Sequence, residues 1–338
     1  MNSLTLAIQT AYMPFSGIFQ QPQPWQASIL GGICFLDPAI ANDTSTIPLM
    51  QLHAPVLDGL QVASELWLSN TAQPNAMDHG IQGAVHYRFN NEMLFGIITL
   101  PESESLQHTT ESAYQQIFAL VDALGYPHIY RFWNYMADIN IVTDGLERYR
   151  QFNVGRKDAW LACGRDATSQ LPAACALGLS SGPLTIAFLA GHKTPVAIEN
   201  PRQISAYEYP EQYGPRTPSF SRATLLQSGQ GNLLLISGTA SIVGHQTLHL
   251  SDVVAQTRET LANLQAIIDE ANRLLQTQKF ELGQAFLRIY IRHAADFPAV
   301  RNEIYRQLGS AIKAVFIQAD ICRQELLLEI EATAVAGS

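Results

Sequence analysis

The chain has no cysteine pair at CxxC or zinc-type spacing: Cys34, Cys163, Cys175 and Cys322 stand far apart. That argues against a disulfide framework or a structural zinc site and suits a reducing cytoplasm. Basic residues are few, with 20 Lys and Arg against 29 Asp and Glu and a net charge of −9. This balance excludes partners that need a basic face, such as non-specifically bound nucleic acid or an anionic membrane surface. An anionic substrate would have to be held by local arginines. No uninterrupted apolar run approaches the roughly 18 residues of a membrane span, and MNSLTLAIQT lacks the basic-then-apolar order of a secretory leader. A strand–GxxxxGK–helix phosphate loop is also missing. What is present, 338 residues at 47% hydrophobic and 14% charged, is a folded chain with room for one large or two medium cores.

The most telling stretch lies near the end, in a closing strand pair expected over 313–332. From Gln324 onward, Leu326, Leu328, Ile330 and Ala332 point one way and Glu325, Leu327, Glu329 and Glu331 the other, with the two-residue period of a strand. The apolar face needs a core, and Glu329 looks away from it. A carboxylate on the second face of a sheet is ordinarily just solvated.

Upstream, a strand is expected at 232–238, a loop at 239–250 and a helix from Ser251 as N-cap. Val253, Thr257, Leu261, Leu264, Ile268, Ala271 and Leu275 step by three and four, giving the helix one buried stripe. An alternating strand at 286–292 and a second helix from about 296–298 to 308 precede the closing strands. The first half repeats the order: strand 93–100, helix 109–124, strand 128–136, helix 145–154, strand pair 174–189. IYRFWNYMADIN…LERYRQFNVGR is locally similar to LRIYIRHAADF…VRNEIYRQLGS. The expected fold is α+β, two tandem β-α-β-α-β-β modules with helices on one face of each sheet. The division is placed at 1–195 and 196–338, within the polar, Pro-containing stretch 191–200. The first 90 residues yield only short strands at 28–36 and 65–68. Where the second copy has Glu329, the first has the apolar run 184–189, so a single copy carries the acid.

Three motif-like signals are set aside. Gly178-Leu179-Ser180-Ser181-Gly182 matches a nucleophile elbow, but a Pro and a strand-like run follow it, so Ser180 is read as a turn residue. His245 and His249 precede their helix and lack an acidic third ligand. No metal and no organic cofactor are expected.

The second copy resembles the Rid/YjgF family over most of 234–334. The residues are Ser237-Gly238, Gln256, Asn263, the Tyr290…Asp296-Phe297…Asn302…Tyr305 run and Glu329-Ile330-Glu331-Ala332. That resemblance implies a chorismate-mutase-like fold, trimers with sheets inside and ligand sites between sheets, which would turn Glu329 toward a cleft. The arginine with which that family grips a carboxylate falls at Ala314, which speaks against a plain imine deaminase. The whole chain is similar to the chorismatases through YRFWNYMADIN (130–140), ERYRQFNVGR (147–156), LPAACALG (171–178), NPRQISAYEYPEQYGPRTPSFSRA (200–223) and SGTASIVGH (237–245).

This second resemblance implies an enzyme that removes pyruvate from chorismate. Chorismate carries two carboxylates, so its site needs cationic grips. Arg131, Arg148, Arg156, Arg202, Arg216 and Arg222 lie in the family-like segments. Arg156, Arg216 and Arg222, with Arg148 behind them, are expected to bind substrate, and Tyr149, Tyr209 and Tyr213 to supply hydroxyl partners. Arg131, Arg148 and Arg150 also suit a purely structural role. Cleaving the enol ether requires a proton on the enolpyruvyl methylene carbon, and Glu329 is the expected donor if burial raises its pKa. Glu331, on the same strand face, would assist by like-charge repulsion. The resemblance further implies that Cys322, near the acid, directs the product toward 3-hydroxybenzoate, with its thiol removing or relaying the ring proton. Ala240 is expected to shape the pocket. Some members that this chain resembles also form 4-hydroxybenzoate, so a mixture of the two stays open, as do two alternatives: a hydrolase that stops at a dihydroxycyclohexadiene carboxylate, and a non-catalytic small-molecule-binding protein of the Rid/YjgF type. Monomer and homotrimer are both compatible with tandem modules.

Overall fold

The computed structural model describes residues 8–19, 24–36, 46–69, 77–166, 168, 171–228, 231–277 and 279–336. Most of the leader-like test segment MNSLTLAIQT therefore lies outside the described residues. The N-terminal part contains β1 (Ile8–Met13), a short helix α1 (Phe15–Ile18), β2 (Ile29–Leu36), β3 (Leu49–His53), β4 (Val56–Asp58) and β5 (Ser64–Ser69). Four of these strands form a sheet of order β1-β5-β2-β3. The strands expected at 28–36 and 65–68 are its β2 and β5.

The first module follows: β6 (Asp78–Gln82), β7 (Val85–Phe89), β8 (Met93–Leu100), α2 (Leu106–Leu124), β9 (His128–Ala137), the hairpin β10 (Val142–Thr143) and β11 (Leu146–Glu147), α3 (Arg148–Ala162), β12 (Ala173–Leu179) and β13 (Leu184–Gly191). The second module has β14 (Val196–Ile198), β15 (Ala223–Ser228), β16 (Gly231–Thr239), the hairpin β17 (Ile242–Val243) and β18 (Gln246–Thr247), α4 (Val253–Arg273), β19 (Phe286–Ile291), α5 (Phe297–Leu308), β20 (Lys313–Gln318) and β21 (Leu328–Ala336). The first sheet runs β12-β9-β13-β8-β7-β6; the second, read the same way, runs β4-β20-β19-β21-β16-β15-β14. From β20 to β14 the two orders correspond strand for strand. The repeat thus extends one hairpin further upstream than its apolar pattern suggested. The expected division at 195/196 falls in the turn between β13 and β14. One N-terminal strand crosses it, since β4 pairs with β20.

Several local expectations change. Ser251 does not cap α4: it sits at φ 63, and the cap is Asp252, whose side chain accepts from the Ala255 amide. The helix expected at 145–154 starts only at Arg148. Asp144 and Gly145, at φ 52 and 77, make the tight turn of the β10–β11 hairpin instead. The closing strands are not hydrogen-bonded neighbours. β21 is inserted between β16 and β19, β20 lies beyond β19, and Gln324–Leu327 belong to the connecting loop rather than the strand. Ser180 does lie in the turn between β12 and β13.

Each module buries one face of its sheet under its helices. Ile117, Phe118, Phe132 and Phe188 fill the first such layer, and Leu264, Ile268, Ile289 and Ile330 the second. The opposite faces of all three sheets meet in one further core, with Phe35 and Trp67 from the N-terminal sheet, Trp133 and Tyr135 from β9, and Leu235, Tyr290 and Ile317 from the last sheet. Burying a large apolar side chain contributes about 1.5–3 kcal/mol, so this three-way contact is a main source of stability. The face of β21 that carries Glu329 is therefore interior, and the ordinary solvated fate of such a carboxylate does not apply. Among the described residues, no helix is long and apolar enough to cross a membrane.

Candidate active site

Where β12 of the first sheet meets β16 of the second, the backbone changes course. Ser237 accepts from the Ala174 amide at 2.8 Å and donates to the Ser221 carbonyl at 2.6 Å, tying the modules together. The register of β16 against β21 slips between Ile236 and Thr239. This bulge places Gly238 against the Glu329 side chain, where a Cβ would lie 1.9 Å from Oε1. Bulges of this kind recur beside active sites because they re-aim side chains. Here a glycine is required for the carboxyl to fit at all.

Glu329 is 3% exposed, and its Oε1 has no hydrogen-bond partner. The carboxyl borders a cavity of about 640 Å³ and an adjoining inner recess. Burial pushes its pKa up to about 8; the neighbouring Glu331 anion adds to the rise, while Arg131 and a contact from Cys322 oppose it. Two residues along the same strand face, Glu331 goes the other way: burial alone would raise it, but Arg288 and Arg131 outweigh that and hold it below the usual range. Two carboxyls driven apart in this manner supply an acid and a fixed anion at neutral pH.

Cys322 Sγ lies 3.9 Å from Glu329 Oε2. Burial first, then the Glu329 charge, pushes the thiol up to about 12. It is therefore neutral near pH 7, a state that suits relaying a proton better than removing one outright. The loop carrying Cys322 and Arg323 is clamped from β19 by Arg292. Its guanidinium donates to the carbonyls of Ile321, Arg323 and Leu326 at 3.1, 2.9 and 2.8 Å and to Asp320 at 2.6 Å. From α4, Gln256 donates to the Glu325 carbonyl and accepts from the Leu327 amide.

Most arginines of this chain are in salt bridges, but three at the cavity are not, although Arg222 has the Glu199 carboxylate within electrostatic reach. Arg156 is 2% exposed, lies over the Tyr114 and Phe132 rings at 5.1 and 5.3 Å, and leaves Nε and Nη2 without partners in the recess beside Glu329. Arg222 donates to the Tyr209 hydroxyl and the Ile204 carbonyl. Arg323 stacks on Tyr213 at 4.0 Å, donates to the His245 carbonyl, and has an unpartnered Nη2. A buried guanidinium without a counter-anion is costly unless a ligand supplies one.

The other expected positions divide. Tyr149 lines both spaces, with its hydroxyl bonded to Asn153 and facing Cys322, Arg323 and Glu329. Ala240 also lines the cavity, its carbonyl held by Asn263. Tyr209 and Tyr213 line it too, but their hydroxyls are engaged by Arg222 and by the His245 carbonyl. Both rings support guanidinium groups; the Tyr213 hydroxyl proton is spent on the His245 carbonyl, whereas the Tyr209 hydroxyl accepts from Arg222 and keeps its own proton to donate. Arg148 lies away from the cavity and forks onto Glu102 at 3.0 and 2.7 Å, a structural tie. Arg216 pairs with Asp158 at 3.1 Å and borders neither space. Arg202 is spent on Glu259 and Asn263. Sequence reading missed Arg323, although it directly follows Cys322, and missed Gly238 and Asn153 as site residues. In α3 the signal was available: Gln151, Asn153 and Arg156 are buried polar residues, where apolar ones would be expected of a packing face.

The family model described as Chorismatase FkbO/Hyg5-like, N-terminal, matches residues 65–190. Among curated proteins, the chain is 36% identical over 342 residues to a chorismatase of Streptomyces hygroscopicus, covering 98% of this chain and 96% of the relative. It is also 36% identical over 280 residues to a 3-hydroxybenzoate synthase of the same organism, covering 79% and 80%. A crystal structure of a chorismatase superposes with a TM-score of 0.86 at 31% identity, over 98% of this chain and 100% of that one.

Proposed function

Because the chain belongs to the chorismatase family, we propose that it cleaves the enolpyruvyl ether of chorismate to 3-hydroxybenzoate and pyruvate, with Glu329 as the proton donor. The observation that carries this reading is a buried carboxyl, its pKa pushed up to about 8, beside a cavity lined by arginines that make no salt bridge. Arg156, which lines the inner recess together with Glu329, suits the enolpyruvyl carboxylate. Arg222 and Arg323, held on the Tyr209 and Tyr213 rings, suit the ring carboxylate and hydroxyl at the outer wall.

The proton of Glu329 goes to the methylene carbon, and the resulting oxocarbenium ion needs an oxygen nucleophile. If the neighbouring ring hydroxyl attacks, its oxygen leaves with pyruvate, the ether oxygen stays on the ring, and loss of a ring proton completes aromatisation. Atoms balance without water, since 3-hydroxybenzoate plus pyruvate equals chorismate. If water attacks, the dihydroxycyclohexadiene carboxylate results. The neutral Cys322 thiol, 3.9 Å from Glu329 Oε2, suits return of the ring proton to the ionised acid. The packing of three sheets into one core within a single chain supports a monomer, and four free thiols support a reducing, cytoplasmic setting.

The test is incubation with chorismate, following pyruvate by a coupled assay and separating the organic acids, for wild type, Glu329→Gln and Cys322→Ala. Expected are pyruvate with 3-hydroxybenzoate from the wild type, loss of both in the Gln variant, and diversion to the dihydro-diol in the Ala variant. No pyruvate from the wild type would refute the enzymatic reading; the dihydro-diol alone would refute the product assignment.

A further inference from the structure

Beneath the site, at the junction of the three sheets, charged side chains form a chain that the cleavage reaction does not itself call for. Glu331 Oε1 accepts from Arg288 Nη1 at 2.6 Å and from the Tyr290 hydroxyl at 2.7 Å, and Oε2 accepts from Arg131. Arg131, on β9 of the first module, also donates to the Ile236 carbonyl at 2.6 Å. Arg288 Nη2 continues to Glu65 Oε2 at 2.6 Å, and Glu65 belongs to β5 of the N-terminal sheet. The other oxygen of Glu65 accepts from Thr333 at 3.1 Å and Tyr12 at 3.3 Å. All four charged residues are buried, at 2% to 4% exposure. Two anions and two cations alternate, each module and the N-terminal sheet contributing at least one.

We propose that Glu65, Arg288 and Arg131 are positioning residues for Glu331: the two arginines fix it as an anion beside Glu329 and Glu65 offsets the Arg288 charge, so that the N-terminal sheet is part of the device that keeps the catalytic acid protonated, while the charge of Arg131 itself opposes that effect. This rests on the reading of Glu329 as the acid. The other groups around Glu329 are Tyr290, its cross-strand partner on β19, Arg131 from β9, Cys175 from β12, Tyr149 and Arg156 from α3, and Cys322 and Arg323 from the preceding loop; Glu147, Arg150 and Glu325 line the same cavity. Of the nearby carboxylates, Glu331 is the one whose charge acts on Glu329.

The chain predicts effects of opposite sign. Removing an anion leaves a net positive remainder and lowers the Glu329 midpoint; removing a cation raises it. Adjacent positions on one strand face are separated by roughly 6.6 Å, which at an effective dielectric near 20 gives Glu331→Gln a downward shift of about one to two pH units. Glu65→Gln, acting from the far side of Arg288, should lower the midpoint by about half a unit to one unit. Arg131→Met should raise it.

Carboxyl ¹³C NMR titration with labelled glutamate, which needs no substrate, reads these shifts directly, and the pH dependence of kcat/KM reads them again if chorismate is turned over. In the wild type, one buried carboxyl should titrate near 8 while Glu331 stays ionised from pH 5 to 9. Failure of the enzymatic reading would abolish the kinetic arm but leave the NMR arm intact. An unmoved Glu329 midpoint in folded Glu331→Gln and Glu65→Gln, or shifts of one sign in all three variants, would overturn the proposal. So would titration of Glu331 itself across that range in the wild type, which decides the matter even if a variant fails to fold.

Discussion

The sharpest consequence concerns the protonation state of Glu329. With a midpoint of about 8, roughly nine-tenths of the enzyme carries the proton at pH 7. A glutamate at the model value of 4.5 would be protonated in only about 0.3% of molecules, so burial and the Glu331 anion raise the active fraction some 300-fold. kcat/KM should be level through neutrality and fall about tenfold per pH unit above 8. Glu329→Gln keeps the shape but cannot donate, and should lose about 10²–10⁴-fold, equivalent to roughly 2.7–5.4 kcal/mol of transition-state stabilisation. The same shift has a stability consequence of defined sign. The folded pKa is raised, so the contribution is fully present below 4.5 and is lost as pH rises through about 8, on the order of 3–5 kcal/mol in all. Glu329→Gln does not suffer that loss. It should melt above the wild type at pH 8.5 and together with it near pH 4.5, an activity and stability exchange typical of buried catalytic groups. Initial rates from pH 5 to 10 and melting curves for both proteins test the reasoning. A profile that falls with a midpoint near 4.5, or a Gln variant retaining a tenth of the activity, would refute it.

Arg156→Leu should lower kcat/KM by about 10–100-fold, mainly through KM, without loss of melting temperature, because it removes a buried cation that has no protein counter-ion. Arg216→Ala, which breaks only a half-exposed pair with Asp158, should stay within about twofold of wild type in the same assay. Gly238→Ala places a Cβ where Glu329 Oε1 lies and should cut kcat by at least about 10²-fold while substrate binding, read by titration calorimetry, changes far less. Arg292→Met leaves the carbonyls of 321, 323 and 326 and the Asp320 carboxylate without their donor; unfolding in urea should show a loss of about 3–5 kcal/mol.

Much of this architecture was legible because it follows from periodicity. Strands β8, β9 and β19 and helices α2 and α5 begin and end close to where alternation and three-four spacing put them. The proposed acid was legible as one of two carboxylates, Glu329 and Glu331, in a strand whose counterpart in the first copy is apolar. What periodicity does not encode is strand adjacency: β20 and β21 are consecutive in sequence yet separated by β19 in space, so the loop between them crosses the top of the sheet and delivers Cys322 and Arg323 to the cavity. Nor does it distinguish arginines. Arg148 and Arg216 are neutralised by Glu102 and Asp158, each more than 40 residues away in sequence, while Arg156 has no such partner, and nothing local separates the three. Ion pairing is a tertiary property, and it separates the binding candidates from the structural ties here.

The two copies also explain why the chain has a single site. Glu329 pairs across the sheet with Tyr290 and Glu331 with Arg288, whereas β13 of the first copy sets Thr185 opposite Tyr135, Ala187 opposite Trp133 and Leu189 opposite Arg131, with no carboxylate among them. The hydroxyls of Tyr135 and Tyr290 meet at 2.6 Å, so the inner faces of the two sheets meet across the shared core. A second pair of carboxylates on β13 would bring five, with Glu65, Glu329 and Glu331, into this interior, where each unpaired charge costs several kcal/mol. The first copy instead presents Thr185, Ala187 and Leu189 there and lends its polar residues to the other copy's acid: Arg131 beneath it, Arg156 and Tyr149 above. Division of labour between the two copies thus concentrates the buried charge at one place, where the proposed anionic substrate would complete the neutralisation of the arginines that face it.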